Sequence, residues 1–513
     1  MLKAAVQCGV AAQATLKVTD SNTDQPSAWG GQRRAGVLLH PTSLPEFPHI
    51  GCLGKHAYFF IDFLETCGQQ IWQMLPLGPT HEDGSPYQPL SAYAGNRRFI
   101  DLYGLQSLGW LSQEQIESDV THQAKVDMAF NAFYASLSGA DEKSFSEFIE
   151  QEKYWLHDYA LFCVIRELEG GASWVDWSES LRDHDEFALS HIKSQHKEKL
   201  DAVFFEQYIF ALQWQQLKNY ANKKDVQLFG DMPIFVALDS AEVWAQRQYF
   251  DVDESGYPRF VAGVPPDYFS ETGQRWGNPH YNWSAIQEQD FDWWVKRCEH
   301  DLKRFDLIRI DHFRGFEAYW KIPVECDTAI DGHWEKAPGE ALFKVLSERF
   351  PSRPFVAEDL GIITDEVTAL RNQFGLPGMG VLQFAYDGHD DNPHLPHNYS
   401  YATVAYTGTH DNDTSLGWIQ SLDEHGRKML ANHIDIATRD LPWPMIREVL
   451  ESRAGIAIIP LQDILMLDSA HRMNTPGTVE HNWQWSFEWP MLKKTLCAKL
   501  LHATRHSGRL SSS

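Results

Sequence analysis

The sequence predicts an α/β fold, a (β/α)8 TIM barrel with helical insertions between barrel strands. Three observations predict it. Eight short apolar runs alternate, for the most part, with helical patterns. Polar residues stand at the C-terminal ends of five of these runs: Asp231, the pair Arg309 and Asp311, Glu358, the pair His410 and Asp411, and Asp463. A barrel gathers those ends in one bowl, whereas the alternative, an open doubly wound sheet, spreads them along an edge. Finally, 513 residues accommodate one barrel-sized domain plus insertions.

Residues 1–34 read as a leader, its segment 21–32 (SNTDQPSAWGGQ) rich in turn formers. Gln7 and Gln13 break its mild apolarity and only Lys3 precedes it, so it fits a signal peptide poorly. Without arginine among its first 18 residues it fits a transit peptide no better. The barrel is expected over 35–500. Its first strand is 35–40 (AGVLLH), followed by helical spacing over 58–67 and a second strand over 71–76 (IWQMLP). The polar loop 78–97 is long, and long loops in compact domains are usually functional or disordered. From about 104 to 222 the pattern is mainly helical, an insertion between two strands. Within it Trp155, Tyr159, Phe162 and Ile165 form one stripe at helical spacing, which reads as core. Strand character resumes over 226–231 (VQLFGD). A second long loop, 249–283, is dense in Gly, Pro and aromatics. After a helix near 286–304 come strands over 307–311, 355–359, 381–386, 404–410 and 456–460, and a polar tail over 501–513.

Composition narrows the partners. The net charge of −26 disfavours nucleic acid and anionic membranes, both polyanions, and is compatible with a neutral polyol. Nineteen tryptophans are many, and carbohydrate sites use aromatic faces, but tryptophan is more often core. Seven cysteines, an odd number without a C-x-x-C pair, predict no disulfide framework, reduced thiols and a cytoplasmic location. No apolar run approaches the roughly 18 residues of a membrane span. His389, His394 and His397 cluster in a segment better read as a solvated loop than as a metal site, since no H-E-x-x-H or cysteine partner accompanies them. Gly375, Gly378 and Gly380 lack dinucleotide-fingerprint spacing and precede a strand instead of following one. Sequons at Asn282, Asn398 and Asn412 carry little meaning in a cytosolic chain.

The chemistry starts from 305–315, FDLIRIDHFRG. Strand side chains alternate faces, so Arg309 and Asp311 point the same way. Taken alone, such a pair is a structural ion pair. Two further carboxylates alter that reading. A pair of carboxylates flanking one bond can hydrolyse or transfer glycosides: one attacks the anomeric carbon, the other protonates the departing oxygen and deprotonates the incoming one. Asp311, Glu358 and Asp411 fit nucleophile, acid/base and stabiliser. Arg309 would keep Asp311 ionised, while Glu358 must stay protonated near neutrality through burial or a nearby carboxylate. Asp359 would face the other side as a structural partner. Structural polar networks remain the alternative for all five strand ends, and Asp463 and Arg472 could form an ion pair beneath the last strand.

Segments 230–237 (GDMPIFVA), 308–315 (IRIDHFRG), 356–361 (VAEDLG) and 406–414 (YTGTHDNDT) resemble the four signature segments of the α-amylase clan. The long stretch 261–283 (VAGVPPDYFSETGQRWGNPHYNW), with 85–96, 39–45 and 472–478, is similar to the 4-α-glucanotransferase or amylomaltase family, glycoside hydrolase family 77, over roughly 35–490. The resemblance implies a retaining double displacement with Asp311 as nucleophile and Glu358 as acid/base. It implies that Asp411 grips the distorted sugar with His410 and Arg309, and that Asp267 and Trp276, on a loop arching over the cleft, shape acceptor subsites. Ser85 and Tyr87 would lie near the reacting ring, with Asp231 and Asn474 on the donor side. Two departures stand out. His81-Glu82-Asp83-Gly84 replaces the Gly-Tyr-Gly or similar of many members, so an aromatic platform there is not carried over. GDMPIFV also lacks the Asn-His ending of amylases, which favours the transferase family. The expected function is a cytoplasmic 4-α-glucanotransferase. It would move α-1,4-glucan segments from maltooligosaccharide or starch-like donors to an acceptor glucan or glucose, without cofactor or metal. An α-glucan hydrolase on the same residues and a non-catalytic glucan-binding protein are the rival readings.

Overall fold

The computed structural model describes residues 31–45, 50–266 and 270–510. Most of the expected leader, Cys8, Asp267 and the last three residues of the tail lie outside the described residues. Among the described residues twelve strands occur in chain order: β1 (Arg34–Leu38), β2 (Ile71–Gln73), β3 (Gln227–Met232), β4 (Phe260–Val264), β5 (Gln274–Pro279), β6 (Leu307–Ile310), β7 (Ala318–Pro323), β8 (His333–Lys336), β9 (Phe355–Ala357), β10 (Gly378–Val381), β11 (Thr403–Tyr406) and β12 (Ile456–Pro460).

Eight of these form one parallel sheet in the order β10–β11–β12–β1–β2–β3–β6–β9. The two ends meet where Ala357 N donates to Pro377 O at 2.8 Å and Met379 N to Asp359 Oδ1 at 2.7 Å. The result is a nearly closed (β/α)8 barrel. Side-chain alternation splits its apolar residues into two cores. Leu38, Ile71, Phe229, Leu307, Val356, Val404 and Ile458 fill the lumen. Val37, Trp72, Leu228, Ile308, Ala357, Ala405 and Ile459 pack outward against the helices.

Between β2 and β3 the chain is helical from Leu102 to Lys223, ending in the long helix Lys197–Lys223. The Trp155, Tyr159, Phe162 and Ile165 stripe is buried there, as its spacing requires. The segment read as a long covering loop is partly strand: β4 and β5 join β7 and β8 in an antiparallel sheet ordered β5–β4–β7–β8. This sheet meets the mouth of the barrel where Trp276 of β5 packs edge-on against His312.

Three expectations are corrected. The apolar run 381–386 is not a barrel strand. The strand is β10, Gly378–Val381, and Leu382–Phe384 turn into a 3-10 helix. Small residues are required in β10: a Cβ on Gly380 would lie 2.4 Å from the Tyr399 ring, and one on Gly378 2.5 Å from the Asp359 carboxylate. Cysteine spacing also misled. Cys67 and Cys497 are disulfide-paired, their Cα atoms 5.0 Å apart across 430 residues, because the helices Lys55–Thr66 and Lys494–His506 pack together. The inference from wholly reduced thiols to a compartment therefore lapses. The polar tail is likewise tied down: Arg509 is fully buried and donates to the carbonyls of Leu450, Arg34 and Ser452, closing the end of the barrel opposite the bowl. Among the described residues no helix is long and apolar enough to cross a membrane.

Candidate active site

Strand register builds the site. β3 pairs with β6 so that Asp231 lies opposite Arg309, and β6 pairs with β9 so that Ile310 lies opposite Ala357. One residue further on, Asp311 and Glu358 stand side by side on neighbouring strand ends. Neighbouring strands are about 4.8 Å apart, matching the roughly 5–5.5 Å carboxyl separation of retaining glycosidases. The backbone fixes both ends. Asp311 N donates to Met232 O at 3.0 Å, and Glu358 N to Ile310 O at 3.0 Å. His312, held in the left-handed region at φ 49°, turns its N–H onto Glu358 Oε2 at 2.6 Å, and Leu360 N donates to Oε1 at 2.8 Å. The glutamate is thus oriented entirely by main chain.

Below the pair lies Arg309, 5% exposed. Its Nε and Nη2 grip Asp231 at 3.0 and 2.8 Å, and Nη2 also reaches Asp311 Oδ1 at 2.7 Å. One buried cation thus serves two carboxylates, the pairing a buried guanidinium requires. Burial raises the pKa of Asp311 and Glu358 alike. Burial outweighs Arg309 at Asp311, contrary to the simple expectation of a depressed value. The two still divide their roles clearly. Glu358 is raised further by the Asp311 charge and bonds no cation, whereas Asp311 touches Arg309. A proton shared by the pair therefore resides on Glu358.

The third carboxylate comes from the loop after β11. Burial acts to raise the Asp411 pKa, but His410 and Asn474 outweigh it and hold the group at about 2. His410 Nε2 lies 3.2 Å from Oδ2, and Asn474 Nδ2 donates to Oδ1 at 2.6 Å. Tyr87 stacks on His410, ring centres 5.2 Å apart, and its hydroxyl donates to Asp231 Oδ2 at 2.7 Å. Its hydroxyl is thus committed to Asp231 and its ring to His410. Ser85 Oγ accepts from Tyr87 N at 3.4 Å, so it shapes the turn that delivers the tyrosine. Trp276 on β5 meets His312 edge-on at 4.9 Å. The residues assigned to the site in the sequence are linked here by these contacts, except Asp267, which lies outside the described residues. Asp359 faces away, as alternation requires, and pairs with Arg371.

A family model described as 4-alpha-glucanotransferase, glycoside hydrolase family 77, matches residues 39–492. The chain belongs to this family. It is 47% identical over 474 residues to a 4-alpha-glucanotransferase of Thermus thermophilus, covering 88% of this chain and 94% of that protein. A Synechocystis 4-alpha-glucanotransferase is 43% identical over 496 residues, covering 93% and 98%. The solved amylomaltase from Streptococcus agalactiae in complex with acarbose superposes with a TM-score of 0.90 at 36% identity, covering 94% of this chain and all of that one.

This family 77 chain also uses residues that the sequence did not disclose. Trp483 lies 5.9 Å from Tyr87 and 6.0 Å from His410, closing an aromatic corner that no spacing rule reveals. Gln88 donates to Asn278 Oδ1 at 2.9 Å and to Trp276 O at 3.3 Å, linking the early loop to β5. The expected Asp463–Arg472 pair does not form, because loops set both partners. Arg472 Nη2 donates to Asp411 O at 2.8 Å and Nε to Asn474 O at 3.1 Å. Asp463, fully buried, accepts from Thr407 Oγ1 at 2.5 Å, Ser415 Oγ at 2.6 Å and Ser415 N at 2.7 Å. These bonds clamp both ends of the loop that carries His410 and Asp411. Asp463→Asn sets an amide NH2 against donors, so it is expected to destabilise by about 2 kcal/mol and to lower kcat. Thermal melting and initial rates check this. A wild-type kcat would deny Asp463 any positioning role.

Proposed function

We propose that this glucan transferase works by a retaining double displacement on an α-1,4-linked glucan. An Asp311 carboxylate oxygen attacks C1 of the donor sugar while the C1–O4 bond breaks and the Glu358 proton passes to the departing O4. The acceptor's 4-hydroxyl then gives its proton to Glu358 as its oxygen attacks C1, and the ester to Asp311 breaks. Asp411, with His410 and Asn474, holds hydroxyls of the distorted ring, and Arg309 and Asp231 fix the nucleophile from below. Maltooligosaccharides or starch-like glucans would serve as donors, and glucans or glucose as acceptors. Trp276 and the Asp267 loop would favour a sugar hydroxyl over water. The observation that carries the reading is the side-by-side register of Asp311 and Glu358, one touching a cation and the other held only by N–H groups. Incubation with pure maltotriose tests it: glucose should appear together with maltotetraose and longer products. A rise in reducing ends without longer products would make the protein a hydrolase instead.

A further inference from the structure

Trp334 stands on β8, the outer strand of the small sheet, and is 37% exposed. Its ring covers the Arg314 guanidinium, whose central carbon lies 3.7 Å from the ring centre. The cross-strand neighbour Trp320 meets it at a steep angle, 5.1 Å between centres, and is itself tied by Nε1 to Ala329 O at 2.8 Å. The indole is therefore held in place before any ligand arrives, which lowers the entropic cost of stacking a sugar on it. Arg314, 5% exposed beneath it, donates through Nη1 to Ile362 O. Ile362 is 47% exposed. Trp334 and Ile362, both part-exposed, are thus tied to a single arginine, one through its ring and the other through its carbonyl.

This pair is attached to the catalytic loops. Arg314 follows Asp311 by three residues, and Ile362 follows Glu358 by four. Glu358 gives its proton to the departing oxygen, so the leaving or acceptor chain extends on the Glu358 side of the scissile bond. Ile362 continues the loop that Glu358 begins, and Trp276 meets His312, whose N–H holds Glu358, edge-on from β5. A neutral pyranose, apolar on its C–H faces, suits this aromatic and aliphatic pair on a chain of net charge −26 better than an anionic partner does.

We propose that Trp334 and Ile362 form an acceptor subsite that holds a glucose unit beyond the one whose 4-hydroxyl reacts. The proposal rests on the transferase reading and adds to it a preference for longer acceptors. It is tested with starch as saturating donor and either glucose or maltotetraose as acceptor. Trp334→Ala is expected to raise the ratio of the maltotetraose KM to the glucose KM about 3- to 10-fold, the size of one aromatic contact. Trp334→Tyr, which keeps a ring, should restore most of the wild-type ratio. Ile362→Ser leaves the indole–guanidinium stack untouched and should shift the ratio in the same direction. An unchanged ratio in both Trp334→Ala and Ile362→Ser overturns the subsite. So does an equal loss of kcat with both acceptors at constant ratio, which would make Trp334 only a support for the Arg314 loop. Wild-type protein that transfers to neither acceptor would instead defeat the transferase reading itself.

Discussion

Asp311→Asn is expected to lower kcat for transfer from maltotriose by about four orders of magnitude or more while the fold survives. The size follows from removing a covalent route: without an attacking carboxylate the remaining groups stabilise charge but form no glycosyl-enzyme. The fold should survive because Arg309 keeps its two-pronged bond to Asp231, and Asp311 is the outer of its two partners. A melting temperature near that of the wild type would separate lost chemistry from lost structure. Asp311→Ala makes a sharper test, since it opens space where a small anion can enter. With an α-maltosyl fluoride donor and azide, one displacement replaces two, so the maltosyl azide should have the β configuration. Wild-type turnover in Asp311→Asn would remove Asp311 from the nucleophile role.

Much of this site was legible in the sequence, for a definable reason. Inside a barrel strand the period of two is strict, so Arg309 and Asp311 must share a face, and Asp359 must turn away from Glu358. Seven of the eight runs are barrel strands, because lumen and outer faces are both apolar, giving short continuous runs. The failures lie where tertiary proximity, not local pattern, decides. β10 reads poorly as a strand because two of its four residues are glycine, a weak strand former, yet Tyr399 and Asp359 occupy the space that side chains would need. β4 and β5 were hidden by the glycines and prolines of their segment. At Gly263 a Cβ would lie 2.1 Å from Gln274 O, so the hairpin depends on the residue that disguises it. Arg472 and Trp483 act from a loop that folds back over the site, Asp463 reaches from a short helix to the loop after β11, and Cys67 meets Cys497 only because two helices pack. No spacing rule reaches such contacts.

Glu358→Gln should produce a different signature from loss of the nucleophile. With maltotriose, kcat should fall about 10²- to 10⁴-fold, the usual worth of positioned proton transfer. Fluoride needs little protonation to depart, so an α-maltosyl fluoride donor should still glycosylate Asp311. The second step then stalls, because no base takes the proton of an incoming sugar hydroxyl. The glycosyl-enzyme should accumulate and show in intact mass as an added maltosyl unit. Azide carries no proton to remove and should release that unit as the α anomer, two displacements having occurred, opposite to the β product of Asp311→Ala. The pH response should change with it. In the wild type the first step requires Glu358 protonated and Asp311 ionised. Activity should therefore fall on the alkaline side as Glu358, raised by burial and by the Asp311 charge, loses its proton. It should fall on the acid side as Asp311 gains one, the two limbs belonging to the coupled pair. In the fluoride-release burst, which follows the first step alone, Glu358→Gln should lose the alkaline limb and keep the acid one. A variant that retained both limbs, or formed no adduct, would show that some group other than Glu358 moves the proton.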